Sequence, residues 1–174
     1  MASVASSEAR RWLLVRALPS LVLIVLALAY VEARYRIGID AQVSKCLPPY
    51  ALFLIDRWDR RAERGALYAF NAPGTMRPLF AAGQLVIKRA VGLPGDRVQV
   101  SPEHVRINGS RVGEGLALAE RLGRTPGDFA RVLRLPAGAW WMMGETADSF
   151  DSRYWGALAE RRGECNEVHE EIAH

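Results

Sequence analysis

Lysine is almost missing from this chain of 174 residues: 23 residues are basic, but only Lys45 and Lys88 are lysines. An arginine guanidinium does not release its proton in a protein, whereas a lysine amine can. Chemistry that needs an amine as its base can therefore use only these two side chains or the amino terminus.

Histidine and cysteine are also scarce, with three and two residues. No histidine lies near a candidate nucleophile in the sequence, so a Ser-His-Asp arrangement has no evident base. His169 and His174 are not spaced to share one helical face, and the segment that runs from Cys165 to them is acidic. We therefore predict no metal site and no other cofactor.

Three further features are missing: an internal repeat, a long low-complexity linker, and a stripe of basic residues interleaved with aromatic ones. The formal net charge of +4 is spread over single and paired arginines. This scatter argues against a nucleic-acid partner. The length suits one folded domain with appendages.

One long apolar run is present, at residues 12–31, WLLVRALPSLVLIVLALAYV. It is long enough to cross a bilayer once, and Arg16 can reach the interface from its position near the start. Arginines gather on the amino-terminal side, so the positive-inside rule places the amino terminus in the cytoplasm and the rest outside. A cleaved signal peptide ending at Ala27-Leu28-Ala29 is the alternative, but the apolar run continues past that tripeptide.

Beyond residue 40, short apolar runs alternate with turn signals. Asn108-Gly109 predicts a two-residue hairpin, and residues 93–96, LPGD, predict a type II turn. A helix is expected over residues 115–123, and the acidic carboxyl-terminal segment could form another. The pattern predicts a mostly antiparallel β domain, with strands at residues 52–56, 66–70, 84–90, 96–100 and 104–107.

Lys88 lies in the apolar segment QLVIKRAVG. An amine tethered there would be desolvated and available as a general base. From the local sequence alone, the plainer interpretation is favoured: a lysine that extends from an exposed strand face to solvent.

Two longer motifs resemble the bacterial type I signal peptidases, which are membrane-anchored proteases with a Ser-Lys dyad. Residues 88–98, KRAVGLPGDRV, resemble the family's lysine box, and residues 144–156, GETADSFDSRYWG, resemble its last box with one residue fewer. Residues 64–70, RGALYAF, are similar to its RGDIVVF strand, with Ala66 where aspartate is usual. The order of the motifs and the single amino-terminal anchor also agree.

The resemblance implies roles for particular residues. The nucleophile box falls on residues 44–49, SKCLPP, with Cys46 at the nucleophile position and Ser44 at the position of an oxyanion-hole hydroxyl. Lys88 matches the general base, and Ser149 matches the serine that orients it. Asp151 and Arg153 match a pair that supports the site without doing the chemistry. Lys45 matches no catalytic residue, and we expect it to be exposed.

Cysteine at position 46 departs from the family, where serine is usual. It could be the native nucleophile, a substitution made for study, or the mark of an inactive relative. Retention of Ser44, Lys88 and Ser149 favours the first. A disulfide with Cys165 is a further alternative, and it would occupy the nucleophile.

The predicted protein is thus a mostly β, single-pass protein of the bacterial inner membrane, with its catalytic domain on the periplasmic side. The expected activity is removal of a leader or propeptide from an exported protein. The chain looks most like the TraF-type peptidases of conjugation, which process pilin precursors, and other conjugation or secretion proteins could be partners. A housekeeping signal peptidase and a catalytically silent peptide-binding module stay open. The predicted regions are 1–11 cytoplasmic, 12–31 anchor, 40–160 catalytic domain and 161–174 acidic tail.

Overall fold

A computed structural model describes residues 2–39, 47, 52–59, 63–159 and 165–171. Contacts divide the chain into two units, Met1–Arg36 and Ile37–His174. The elements in chain order are α1 (Ala2–Arg34), β1 (Tyr35–Ile39), β2 (Leu52–Asp56), β3 (Leu67–Asn71), β4 (Leu85–Gly92), β5 (Arg97–Val100), β6 (His104–Ile107), β7 (Ser110–Glu114), β8 (Arg131–Arg134), β9 (Ala139–Met143), α2 (Ser152–Trp155), β10 (Leu158–Ala159) and β11 (Cys165–Glu171).

Helix α1 contains the predicted apolar run. Its stretch Val15–Arg34 has a mean hydropathy of 1.9 and buries none of its residues within the protein. Twenty residues of α-helix span about 30 Å, the thickness of a bilayer core. The Arg16 guanidinium lies 4.0 Å from the centre of the Trp12 ring, at the amino-terminal end of this stretch. By length and composition α1 is a candidate membrane span.

Eleven of the elements in the described residues are strands, and they form two antiparallel sheets. The seven-stranded sheet has the order β1-β2-β11-β3-β4-β9-β10, and the four-stranded sheet has the order β7-β6-β5-β8. The mostly β, antiparallel fold predicted from the sequence is confirmed. All five predicted strands are present, with bounds that differ by no more than two residues.

The predicted turns are also present. Asn108 and Gly109 have φ angles of 52° and 87°, as a type I′ hairpin requires. Gly95 has a φ of 89°, and the N–H of Asp96 donates to the carbonyl of Leu93 at 3.0 Å, which closes the turn after β4. These turns depend on local backbone preference, and that is why the sequence predicts them well.

The predicted helix over residues 115–123 is wrong, because only the 3₁₀ turn Glu120–Leu122 forms there. The backbone N–H of Leu116 donates to the carbonyl of Pro102, and the N–H of Leu118 donates to the Tyr154 hydroxyl at 2.8 Å. Within the segment short-range bonds of turns predominate, such as Ala119 N–H to the Leu116 carbonyl at 3.1 Å and Leu122 N–H to the Ala119 carbonyl at 3.0 Å, and Gly123 ends it in the left-handed conformation.

The helix considered for the acidic segment is wrong as well. Residues 165–171 form β11, which is inserted between β2 and β3 and pairs with both. Val168 is buried there with an exposure of 5 %. This segment is therefore part of the sheet, because it fills the backbone hydrogen bonds that β2 and β3 would otherwise leave open.

The core involves both sheets. Strand β9 is buried at every position, Ala139 to Met143, and it pairs with β4. A β-bulge interrupts the β4–β9 pairing between Ala90 and Gly92. A methyl group at Gly92 would lie only 2.8 Å from Trp141 Cβ, so only glycine lets the two strands approach this closely.

Candidate active site

Lys88 lies on the core face of β4. Strand β4 alternates between half-buried and buried residues, and Lys88 falls in the buried set together with Val86 and Ala90. Only 1 % of Lys88 is exposed, and across the sheet its register partner is Tyr68. The interpretation of Lys88 as a solvent-exposed lysine is therefore wrong.

The buried amine is hydrogen-bonded to a serine. Lys88 Nζ donates to Ser149 Oγ at 2.7 Å, and this is its only hydrogen bond among the residues that the structure describes. Ser149 is itself fully buried. A buried amine whose orientation is fixed by a neutral hydroxyl could serve as the base for an adjacent nucleophile.

Ser149 is positioned by an ion pair that lies just after it in the sequence. Arg153 donates from Nε to Asp151 Oδ1 and from Nη2 to Asp151 Oδ2, both at 2.8 Å. The two side chains are 1 % and 0 % exposed. A bidentate pair this deep fixes both groups in one geometry.

The remaining donors of Arg153 bind backbone carbonyls, among them that of Ser149 at 3.1 Å. Burial alone would lower the pKa of Arg153, but the hydrogen bonds and charge of Asp151 outweigh it, so the pKa is raised above its ordinary value. The guanidinium thus stays charged and ties the loop before α2 into one shape. Its other carbonyl partners are Glu114, Gly115, Thr146 and Ala147.

Two contacts attach this loop and α2 to strand β9. Asp151 Oδ2 accepts from the N–H of Gly144 at 3.1 Å, and Ser152 Oγ accepts from the N–H of Met142 at 2.9 Å. Since β9 pairs with β4, these bonds fix Ser149 relative to Lys88 through a chain of buried contacts.

The turn after the lysine strand is held by Asp96, whose role the sequence did not reveal. Its carboxylate accepts from the N–H of Leu93 and from Asn108 Nδ2, both at 2.7 Å, and pairs with Arg64 Nη2 at 2.8 Å. Burial opposes ionisation, but these donors outweigh it and the pKa of Asp96 is lowered. The LPGD motif predicted the turn itself, but two partners of the Asp96 carboxylate, Arg64 and Asn108, come from other segments of the chain.

The residues of the predicted nucleophile box, Ser44, Lys45 and Cys46, lie outside the described residues. Leu47, the next residue, is 2 % exposed and packs in a second core cluster with Phe53, Ile55, Leu67, Ala69 and Val168. Leu85 and Ile87 of β4 pack against the same cluster. The chain directly after Cys46 is therefore anchored against the sheet that carries Lys88.

A cleft of about 300 Å³ opens beside the carboxyl-terminal half of β4. Arg89 and Val91 line it together with Met143 and residues 144–147 of the loop that leads to Ser149. Within the described part of the chain, no three His, Cys, Asp or Glu side chains lie close enough to hold a metal ion.

Comparison with known proteins identifies the family. The family model described as signal peptidase, peptidase S26, matches residues 10–164. The chain belongs to this signal peptidase family. The family membership predicted from the lysine box and the last box is therefore confirmed, and the match includes both motifs.

The chain is similar to proteins named signal peptidase and to a protein of conjugal transfer. The chain is 32 % identical over 104 residues to a probable signal peptidase I-2 of Synechocystis, covering 59 % of this chain and 45 % of the relative. It is 36 % identical over 83 residues to a signal peptidase I of Bacillus licheniformis, covering 44 % of each. It is 31 % identical over 114 residues to a conjugal transfer protein TraF of Agrobacterium fabrum, covering 65 % of this chain and 57 % of the relative. The chain thus spans about half the length of these curated relatives.

Proposed function

We propose that this chain is a membrane-anchored endopeptidase that removes a leader or propeptide from an exported protein. The observation that carries the proposal is the hydrogen bond between the buried Lys88 amine and Ser149. It joins the two motifs that resemble the lysine box and the last box of the signal peptidases. Family membership supports a hydrolase of this kind.

In the proposed reaction Cys46 is the nucleophile and Lys88 the base. The neutral amine of Lys88 takes the thiol proton, and the sulfur attacks the scissile carbonyl carbon. The Ser44 hydroxyl and the Cys46 N–H donate to the oxyanion. The intermediate collapses with cleavage of the C–N bond, and the Lys88 ammonium protonates the leaving amine. Water, deprotonated by the same amine, then hydrolyses the thioester and restores the thiol.

Ser149, Asp151 and Arg153 position the base in this proposal. Ser149 holds Nζ in place, and the Asp151–Arg153 pair holds the loop that carries Ser149. An unbranched lysine side chain has many rotamers, so a fixed partner at its tip restricts the amine to the orientation that the reaction needs.

The proposed setting is the bacterial inner membrane, with α1 as a single anchor and the β domain on the periplasmic side. The apolar stretch Val15–Arg34 is not buried within the protein, which supports its role as the anchor. The arginines at its amino-terminal side support a cytoplasmic amino terminus. The substrate would bind as an extended strand with small residues at the first and third positions before the cut, by analogy with the family.

For the substrate we favour the precursor of a conjugative pilin. The similarity to a conjugal transfer protein TraF over 65 % of the chain supports this choice. The similarities to proteins named signal peptidase I support the alternative, a housekeeping peptidase that acts on many exported preproteins. Cysteine in place of serine supports a third possibility, a silent module that binds a peptide within a secretion or transfer complex.

One processing experiment separates these possibilities. A candidate prepilin and a general secretory preprotein are incubated in membranes with the native protein and with the Cys46→Ser, Cys46→Ala and Lys88→Ala variants. We expect the native protein to cleave, and Cys46→Ala and Lys88→Ala to lose cleavage by at least about a hundredfold. Equal cleavage by native protein and Cys46→Ala would disprove the thiol mechanism. Cleavage by Cys46→Ser alone would show that the cysteine marks either the silent module or a substitution made for study.

A further inference from the structure

The outer face of the four-stranded sheet carries arginines on neighbouring strands. Core-facing residues in β5 alternate with outward ones, so Arg97 points away from the core that Val98 joins. The same alternation exposes Arg106 in β6 and Arg134 in β8. We call these three residues the arginine face.

Among the described residues, the guanidinium groups of the arginine face form no ion pair, and the carboxylate of Glu114, opposite His104, pairs with Arg111 instead. Arg106 donates from Nη1 to the carbonyl of Gly109 at 3.2 Å, and Arg134 donates from Nη1 to the carbonyl of Gly95 at 3.1 Å. Neither of them, nor Arg97, forms an ion pair with a described carboxylate. By contrast, Arg111 on the neighbouring strand β7 pairs with Glu114 at 2.7 Å.

The register places like charges directly opposite one another. Arg97 faces Arg134 across the β5–β8 pair, and Arg106 faces Arg111 across the β6–β7 pair. Like charges at directly opposed positions destabilise a sheet. An anionic partner that covers these arginines would relieve the repulsion between them.

An apolar side chain lies among these charges. Val132 is 61 % exposed and sits opposite Gln99 on the same face of the sheet. A shallow sheet surface with guanidinium groups around an exposed valine fits a layer of phosphate groups with apolar chains beneath it. Arginine binds phosphate oxygens in a bidentate manner, and this face contains no lysine.

We infer that the arginine face docks onto anionic phospholipid headgroups. Charge complementarity supports this partner, and so does the apolar helix in the same chain, which is not buried within the protein. A domain held near a bilayer by its own anchor meets headgroups at a high effective concentration, so weak contacts suffice. The inference rests on the anchor in the proposed function and is independent of peptidase activity.

The test uses the full chain in nanodiscs of neutral phosphatidylcholine or of phosphatidylcholine mixed with phosphatidylglycerol. Phenylglyoxal modifies accessible arginines, and mass spectrometry reads each site. We expect Arg97, Arg106 and Arg134 to be modified at least about fivefold more slowly in the anionic discs. Arg77 and Arg121, exposed residues outside the small sheet, serve as internal controls and should change little. High salt should abolish the difference.

Variants give the second readout, because a partner that binds only the folded state raises its melting temperature. Anionic lipid should raise the melting temperature of the native chain and of the Arg77→Gln, Arg121→Gln double variant. The triple variant Arg97→Gln, Arg106→Gln, Arg134→Gln should lose this increase.

Equal modification in the two lipids, equal protection of the control arginines, or a triple variant that keeps the increase would each overturn the inference. Protection that appears only when an acidic protein is added would overturn it too, in favour of a protein partner. Loss of the chain from membranes on alkaline extraction would disprove the anchor. Cleavage of a preprotein is measured in a separate assay, and its loss would count against the peptidase activity and not against lipid docking.

Discussion

Lys88 and Ser149 are 61 residues apart in the sequence, yet Nζ of one donates to Oγ of the other at 2.7 Å inside a fully buried site. Strand β9 links the two segments, because it pairs with β4 and its Met142 N–H donates to Ser152 of α2. The amine is therefore held by the same packing that holds the sheet together.

Replacing Ser149 by alanine should reduce cleavage by at least about tenfold while the protein stays folded. The substitution leaves the buried amine without its hydrogen bond, at a cost of about 1–3 kcal/mol in unfolding free energy. Single-turnover processing and urea unfolding are measured side by side. Ser101→Ala is the control, since Ser101 Oγ bonds Glu103 and the carbonyl of His104, away from Lys88 and Ser149. Equal loss of cleavage in both variants would contradict a specific role for Ser149.

Arg153→Lys should destabilise the domain by about 3–5 kcal/mol, since lysine cannot reproduce the fork that binds Asp151 and the loop carbonyls together. The buried Asp151 carboxylate then loses most of its compensation. Urea unfolding of the full chain in detergent gives the free energy. Arg111→Lys, at an ion pair that is more than half exposed, should change it by less than about 1 kcal/mol. Similar effects of the two changes would argue that burial of the Arg153 pair is unimportant.

Asp96 should make stability depend on pH in the acid range. Its pKa is lowered in the folded protein, so the stabilisation is complete above the ordinary value of 3.8 and is lost as the pH falls through the folded-state pKa. Asp96→Asn should therefore flatten the acid side of the curve of unfolding free energy against pH. Glu103→Gln, at an exposed position, is the control and should leave the curve unchanged. An unaltered acid limb in Asp96→Asn would count against the network with Asn108 and Arg64.

Gly115→Ala should destabilise the domain severely, by about 3 kcal/mol or more. A methyl group at this position would overlap the carbonyl of Pro102, which is backbone and cannot rotate away. The carbonyl of Gly115 also accepts from Arg153 Nη1 at 2.9 Å, so a shift here would reach the loop of Ser149. At Gly127 the nearest atom to an added methyl is Thr125 Oγ1 at 3.8 Å, and Gly127→Ala should be tolerated. Melting temperatures of the two variants decide the prediction.

Local preference explains what could be predicted of the fold. Alternating apolar residues marked β2 to β6, and the glycine and asparagine turns marked the β6–β7 hairpin and the end of β4. Strands β1, β8, β9, β10 and β11 were not predicted. The AWWMM run of β9 is buried on both faces and has no alternation, and β11 is an acidic segment whose partners are far away in the sequence. Helix propensity over residues 115–123 was outweighed by long-range hydrogen bonds to Pro102 and Tyr154.

The sequence by itself determined which groups are available for chemistry: two lysines, a cysteine in the segment that resembles the nucleophile box, and the two motifs that resemble the boxes of the family. Only the tertiary structure decided that Lys88 faces the core and that its amine lies 2.7 Å from Ser149 Oγ. It also revealed that Asp96 holds the turn after β4 and that Arg153 holds the loop that carries Ser149. The reason is that strand alternation assigns a side chain to one of two faces, whereas which face is buried, and what meets it there, depends on β-sheet pairings between distant segments.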